Sequence, residues 1–163
     1  MSELTQAILK SLLTYDPETG VFTYALPRPK VKVGDVAGHL HKGHGYIQMK
    51  VQGRLYLAHR LAWLYVYGEW PKNQLDHINR NRADNRLRNL RPATNAENCQ
   101  NRPVQKNATS GVAGVTWNKT LGKWHARISV NNRRQHVGWF RTRQEAVEAR
   151  RTAELALHPY RTG

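Results

Sequence analysis

Residues 75–101 read LDHINRNRADNRLRNLRPATNAENCQN. An acid and an imidazole, Asp76 and His77, stand near its head, and asparagine and arginine dominate the remainder. Leu75, Ile78 and Leu90 are its few apolar anchors. No apolar core can be made from such a stretch. The pattern predicts a strand carrying Asp76-His77, a long polar loop and a second strand around Leu90–Ala93. A helix should then start at Thr94, because Thr94-Asn95-Ala96-Glu97 has the spacing of a capping box.

The residue types suit phosphodiester hydrolysis. That reaction needs a base near pH 7 to activate water, and a divalent cation to offset the charge building on oxygen. Histidine has an unperturbed pKa of ~6.5, so His77 is the candidate base. Mg²⁺ or Mn²⁺ takes oxygen ligands and keeps several waters. Asp76 supplies a carboxylate, and Asn98, on the first turns of the helix, an amide oxygen; Asn95 and Asn101 compete with it by position. Asn89 is placed to tie the loop to the strand and orient His77. Neighbours on a regular strand point to opposite faces, so a kink or bulge is expected to bring Asp76 and His77 to one site.

Upstream, ELTQAILKSLL (3–13) places Leu4, Ala7, Ile8 and Leu12 on one helical face, with Ser2 as a cap. YDPETG breaks the chain and VFTY (21–24) is a short strand. YIQMKV and LYL, joined by QGR, read as a hairpin. AHRLAWLYVYG (58–68) is a short apolar helix ended by Gly68. His59-Arg60 at its head has either a packing and phosphate-contact role or a purely structural one. The loop histidines His39, His41 and His44 have metal-like types, but their Gly-rich setting favours a DNA-facing loop or no role.

The chain has 163 residues, with 26 Lys and Arg against 11 Asp and Glu, a formal net charge of +15. The excess is spread along the chain: residues 1–94 hold 14 basic and 7 acidic side chains, +7, and 95–163 hold 12 and 4, +8. Charge of this kind fits nucleic acid. No apolar run approaches the ~18 residues of a membrane span, and no secretion signal heads the sequence, which gives the expectation of a soluble intracellular protein. Cys99 is the only cysteine, so neither a disulfide framework nor a thiolate zinc site is expected.

LAHRLAWLYVYGEWP followed by LDHINRNRADNRLRNLRPATNAEN resembles the HNH endonucleases of phages and mobile introns, whose β-β-α metal finger cuts DNA. The resemblance covers about residues 10–101. It implies that His77 is the general base, Asp76 and Asn98 the metal ligands and Asn89 a structural asparagine. The cation would be Mg²⁺ or Mn²⁺, the substrate double-stranded DNA, and the setting the cytoplasm of a phage host. Many relatives add zinc-knuckle cysteines, and this sequence has none. The loop arginines Arg80, Arg82, Arg86 and Arg88 are then candidates for backbone contact beside the scissile phosphate.

Beyond a polar stretch at 102–110, read as a linker, the texture changes. GVAGVTWN, KWHARISVNN and RRQHVGWF are three strand-like runs, and TRQEAVEARRTAELAL (142–157) is an Ala-rich helix with Ala146, Ala149, Ala153 and Ala156 on one stripe. Residues 111–157 resemble the three-stranded (APETALA-type) DNA-binding domain of plant ethylene-response factors, which lays its sheet in the major groove. Alternation puts Trp124, Ala126, Ile128 and Val130 on the helix side. His125, Arg127 and Ser129 then face outward, with Arg134 and His136 of the third strand and Thr116 and Asn118 of the first. These seven are the candidate DNA contacts, while Trp117 and Trp139 read as core.

The resulting expectation is an α+β chain. An HNH nuclease module (1–101) and a linker (102–110) are followed by a sheet module (111–160) that positions double-stranded DNA. The reading is a monomeric, site-preferring homing-type endonuclease, with a dimer left open and no membrane or small-molecule partner. The alternatives are a non-catalytic DNA-binding regulator on a nuclease-derived scaffold, and a basic RNA-binding protein.

Overall fold

The computed structural model describes residues 3–101, 110–130 and 133–158. The chain is α+β and divides into two compact units, 1–94 and 95–163. Most of the stretch read as a linker lies outside the described residues, as does Ser2. Ser110, its last residue, is buried in the second unit, and its hydroxyl donates to the carbonyl oxygen of Val112 at 2.9 Å.

The first unit begins with α1 (Gln6–Leu12), capped by Thr5, whose hydroxyl accepts from Ile8 N–H at 3.4 Å. Leu4 and Leu9 are its buried anchors, with Ile8 and Leu12 packed beside them. Ala7 is exposed, on the side of this short helix that faces away from the core. The chain passes straight into β1 (Leu13–Asp16), which pairs antiparallel with β2 (Val21–Tyr24). The DPETG segment is thus the turn of a hairpin: Asp16 carboxylate oxygens accept from Glu18 N–H and the Thr19 hydroxyl.

A three-stranded sheet comes next, β3 (His39–Leu40), β4 (Ile47–Val51) and β5 (Arg54–Leu57), with β4 in the middle. Then comes α2 (Ala58–Tyr67), whose Ala58, Leu61, Ala62 and Leu64 are buried. Gly68 ends it in the left-handed conformation at φ 79°. Leu9, Leu13, Phe22, Met49, Val51, Leu61, Leu64 and Leu90 belong to one core, which sits under the functional stretch. That stretch supplies β6 (Gln74–His77) and β7 (Leu90–Ala93), paired antiparallel with Asp76 opposite Arg91 and His77 opposite Leu90.

Gly20 is where the hairpin meets the loop between β6 and β7. Its φ is +74°, and a Cβ there would lie 2.6 Å from the carbonyl carbon of Asn85 and hard against Arg86 N. Backbone leaves no room to give. Gly20→Ala is expected to cost about 1–3 kcal/mol by overpacking. A lowered melting midpoint and faster amide exchange at Asn85–Asn89 check this.

The second unit opens with α3 (Asn95–Gln100), which starts one residue after Thr94. Its sheet is antiparallel, with β9 (Lys123–Val130) between β8 (Val115–Asn118) and β10 (Arg133–Phe140). α4 (Arg143–Leu157) starts from a complete capping box of Thr142 and Glu145. Val115, Ala126 and Ala146 form the buried cluster, and Ile128 is also buried. Ala149 and Ala153 are half-buried, but Ala156 is exposed, so the small-residue stripe stops short of the helix end.

Candidate functional site

The asparagines of the polar stretch hold the loop to itself. Asn79 Oδ1 accepts from Asn81 N–H at 2.9 Å, Asn81 Oδ1 from Ala83 N–H at 3.1 Å, and Asp84 Oδ1 from Arg86 N–H at 3.3 Å. Each is a side chain serving backbone two residues on. Asn89 closes the loop at its base: Oδ1 accepts from Asn79 N–H at 3.0 Å, and Nδ2 donates to Asp84 O at 2.8 Å. Arg80, left-handed at φ 64°, donates its N–H to His77 O at 2.9 Å, turning the chain directly after the histidine. The β1–β2 hairpin props the far side: Tyr15 hydroxyl donates to Asn85 O at 2.7 Å, and Leu87 N–H to Pro17 O at 3.2 Å.

His77 sits at the end of β6, buried. Its Nε2 lies 3.5 Å from Asn85 Oδ1. Asn85 is 1% exposed, and its Nδ2 donates to Ala83 O at 3.2 Å, which turns Oδ1 toward the imidazole. The proton therefore belongs on Nε2, and the lone pair on Nδ1. Burial holds the imidazole below the ordinary histidine value, against upward pulls from Asn85, Asp76 and Asp84 and a downward one from Arg82. Tyr46 and His59 wall the ring, with centroids at 5.7 and 5.0 Å.

Asp76 is buried too, and both Arg91 Nε and Nη2 donate to its Oδ2, at 2.9 and 2.8 Å. The expected kink is not in the pairing, since the register runs unbroken from Gln74↔Ala93 to His77↔Leu90. The two side chains instead take separate partners, Asp76 on Arg91 and His77 on Asn85. Asn98 lies on α3, in the second unit. Among the described residues no group of three His, Cys, Asp or Glu could hold a metal ion.

The orienting contact expected from Asn89 belongs to Asn85. Nothing in the sequence distinguishes these two asparagines, four residues apart in one polar run. Asn85→Ala is expected to slow any reaction that uses His77 by up to about a hundredfold, through a misplaced base. Unchanged circular dichroism with a lower rate would check it.

The four loop arginines differ in their surroundings. Arg86 closes on Asp84, whose carboxyl it holds down at a pKa of about 2. Arg88 reaches Glu18 at 3.4 Å with both side chains exposed. Arg82 donates to His44 O at 2.9 Å and lies over the Tyr46 ring at 5.0 Å. Arg80 is half-buried at the turn after His77.

In the second unit the register bears on the sheet's outer face. Thr116 is opposite His125, His125 opposite Trp139, Arg127 opposite His136, and Ser129 opposite Arg134. Thr116, Asn118, His125, Arg127, Ser129, Arg134 and His136 thus share one face, as alternation implies. Trp139 corrects the core reading. A bulge between His136 and Gly138 shifts the alternation, so Trp139 joins this face, 39% exposed and stacked on His125 at 4.2 Å. Trp117 is on the helix side of the sheet opposite Trp124, yet 44% exposed, because the core there is small.

Among known proteins, the HNH endonuclease family profile matches residues 56–100. Protein 3.8 of Escherichia phage T7 is 32% identical over 98 residues, spanning 53% of this chain and 81% of the phage protein. No solved structure matches. The match to the HNH family ends at residue 100, ahead of the three-stranded sheet, and none of these comparisons supports the expected likeness of that sheet to the plant domain.

Proposed function

Because this chain belongs to the family of Protein 3.8 of Escherichia phage T7 and carries an HNH endonuclease domain at residues 56–100, we propose that it is a metal-dependent endonuclease acting on double-stranded DNA. The observation that carries the reading is the buried His77. Its Nε2 is directed at Asn85 and burial favours its neutral form, the form in which an imidazole acts as a base. His77 takes a proton from water as the oxygen attacks phosphorus. Asn85 holds the ring in its tautomer, and Asn89 keeps the loop closed.

Asp76, with Asn98 added by the family resemblance, offers carboxylate and amide oxygens, a hard donor set that suits Mg²⁺ or Mn²⁺. When bound, such a cation supplies charge stabilisation at the phosphoryl and leaving oxygens. Arg91 fixes the Asp76 carboxylate from across the strand pair. In the second unit, Thr116, Asn118, His125, Arg127, Ser129, Arg134 and His136 would contact the groove. The plant-domain resemblance and the shared outer face support that role. The homing type and the setting of a phage-infected cell rest on resemblance to phage and intron nucleases.

Supercoiled plasmid incubated with the protein and Mg²⁺ should become nicked or linear, and EDTA should stop it. Plasmid left supercoiled under every divalent cation would favour the binding-only regulator.

A further inference from the structure

The loop between β3 and β4 lies outside the HNH match, yet it is joined to the His77 site. A row of rings runs from His77 to Tyr46 (5.7 Å), from Tyr46 to His44 (5.3 Å) and from His44 to His41 (3.9 Å, planes within 7°). Arg82 of the polar loop binds this row twice, by donating to His44 O and by lying over Tyr46. His41 ends the row and is exposed, beside the exposed Lys42.

Both outer imidazoles accept a hydrogen bond from the backbone. His41 Nδ1 accepts from Gly43 N–H, and His44 Nδ1 from Tyr46 N–H, each at 3.2 Å. His44 is also held below the ordinary histidine value, by burial first and then by His41 and Arg82. Gly43 has no side chain to obstruct the His41 ring: a Cβ there would come within 3.1 Å of it. The loop therefore presents a flat aromatic face flanked by Lys42 and Arg82. Stacked rings with adjacent positive charge suit a nucleobase beside its phosphate better than they suit a phosphate alone.

We propose that the His41–His44 stack is a platform for a nucleobase that has left the duplex stack next to the scissile phosphate. The inference rests on the nuclease reading and narrows its substrate to DNA with an unpaired or readily unstacked nucleotide at the cut. Stacking a base on His41 would extend a ladder already built, and Arg82 would tie the position of that base to the loop that carries the His77 site.

The test is binding of the full chain, carrying His77→Ala to prevent cutting, to two gapped duplexes. One has thymidines in the gap and the other abasic residues with the same phosphates. The thymidine gap should bind about tenfold more tightly, within the range expected for one base–aromatic stack. His41→Ala should erase the difference. His41→Asn, which keeps an acceptor for Gly43 N–H without the ring, should erase it too, and His41→Phe should restore it. Equal binding of the two gaps, or a preference that survives His41→Ala, would overturn the platform. Cutting by the parent chain is scored separately on plasmid, and its absence would overturn the nuclease reading alone.

Discussion

His77→Ala should reduce cleavage by about 10²–10⁴-fold, the usual contribution of a general base, while DNA affinity stays unchanged. The imidazole acts only in the chemical step, so its loss should appear in the rate of cutting and not in binding. His77 is buried, and truncation leaves a hole beside Tyr46 and His59. His77→Gln fills most of that volume without supplying a base of suitable pKa. Both variants should therefore be equally inactive although only alanine leaves the cavity. Activity in the glutamine variant near that of the parent would move the base elsewhere. Single-turnover rates at saturating protein, with affinity measured in parallel, separate the two effects.

Acid should destabilise the first unit through His59. Its imidazole is buried, its Nδ1 has no hydrogen-bond partner among the described residues, and burial, then His77 and Arg60, push its pKa down to about 3. Above an ordinary histidine value of ~6.5 both folded and unfolded chains hold it neutral, and it contributes nothing to pH dependence. Below that value the unfolded chain takes up a proton that the folded chain refuses. Stability should fall by about 1.4 kcal/mol per pH unit between roughly 6.5 and 3, at most ~5 kcal/mol. That is comparable with the whole stability of many domains. His77 has the same sign, so the diagnostic quantity is the change in slope. Urea unfolding between pH 7 and pH 5 should lose less stability in His59→Gln than in the parent chain. Equal slopes would show that His59 is not held neutral by the fold.

The sequence carries the parts of this structure that depend on periodicity and local chemistry. The apolar run at 58–67, closed by Gly68, is α2, and the Thr94 box precedes α3. Strict alternation along 123–130 sorts the two faces of the second sheet without any knowledge of register. The features it does not carry depend on contacts between segments far apart in the chain. Asn85 and Asn89 look alike in sequence, and only the fold directs one at His77 and the other across the base of the loop. Alternation misplaces Trp139 because a single-residue bulge reverses it and leaves no mark in composition. His41 and His44 gain meaning only when Arg82, 38 residues after His44, reaches back to hold their loop. The density of asparagine is explained in part by backbone that has no strand or helix to satisfy it.

The most direct measurement starts from a bound complex. Supercoiled plasmid is saturated with the full chain in EDTA, binding is verified by mobility shift, and excess Mg²⁺ is added to begin the reaction. The account predicts nicked or linear product in a single turnover, in the parent chain and not in His77→Ala, although both are fully bound. Plasmid that stays bound and supercoiled after Mg²⁺ and after Mn²⁺ would contradict it, and would leave a protein that holds DNA without cutting it.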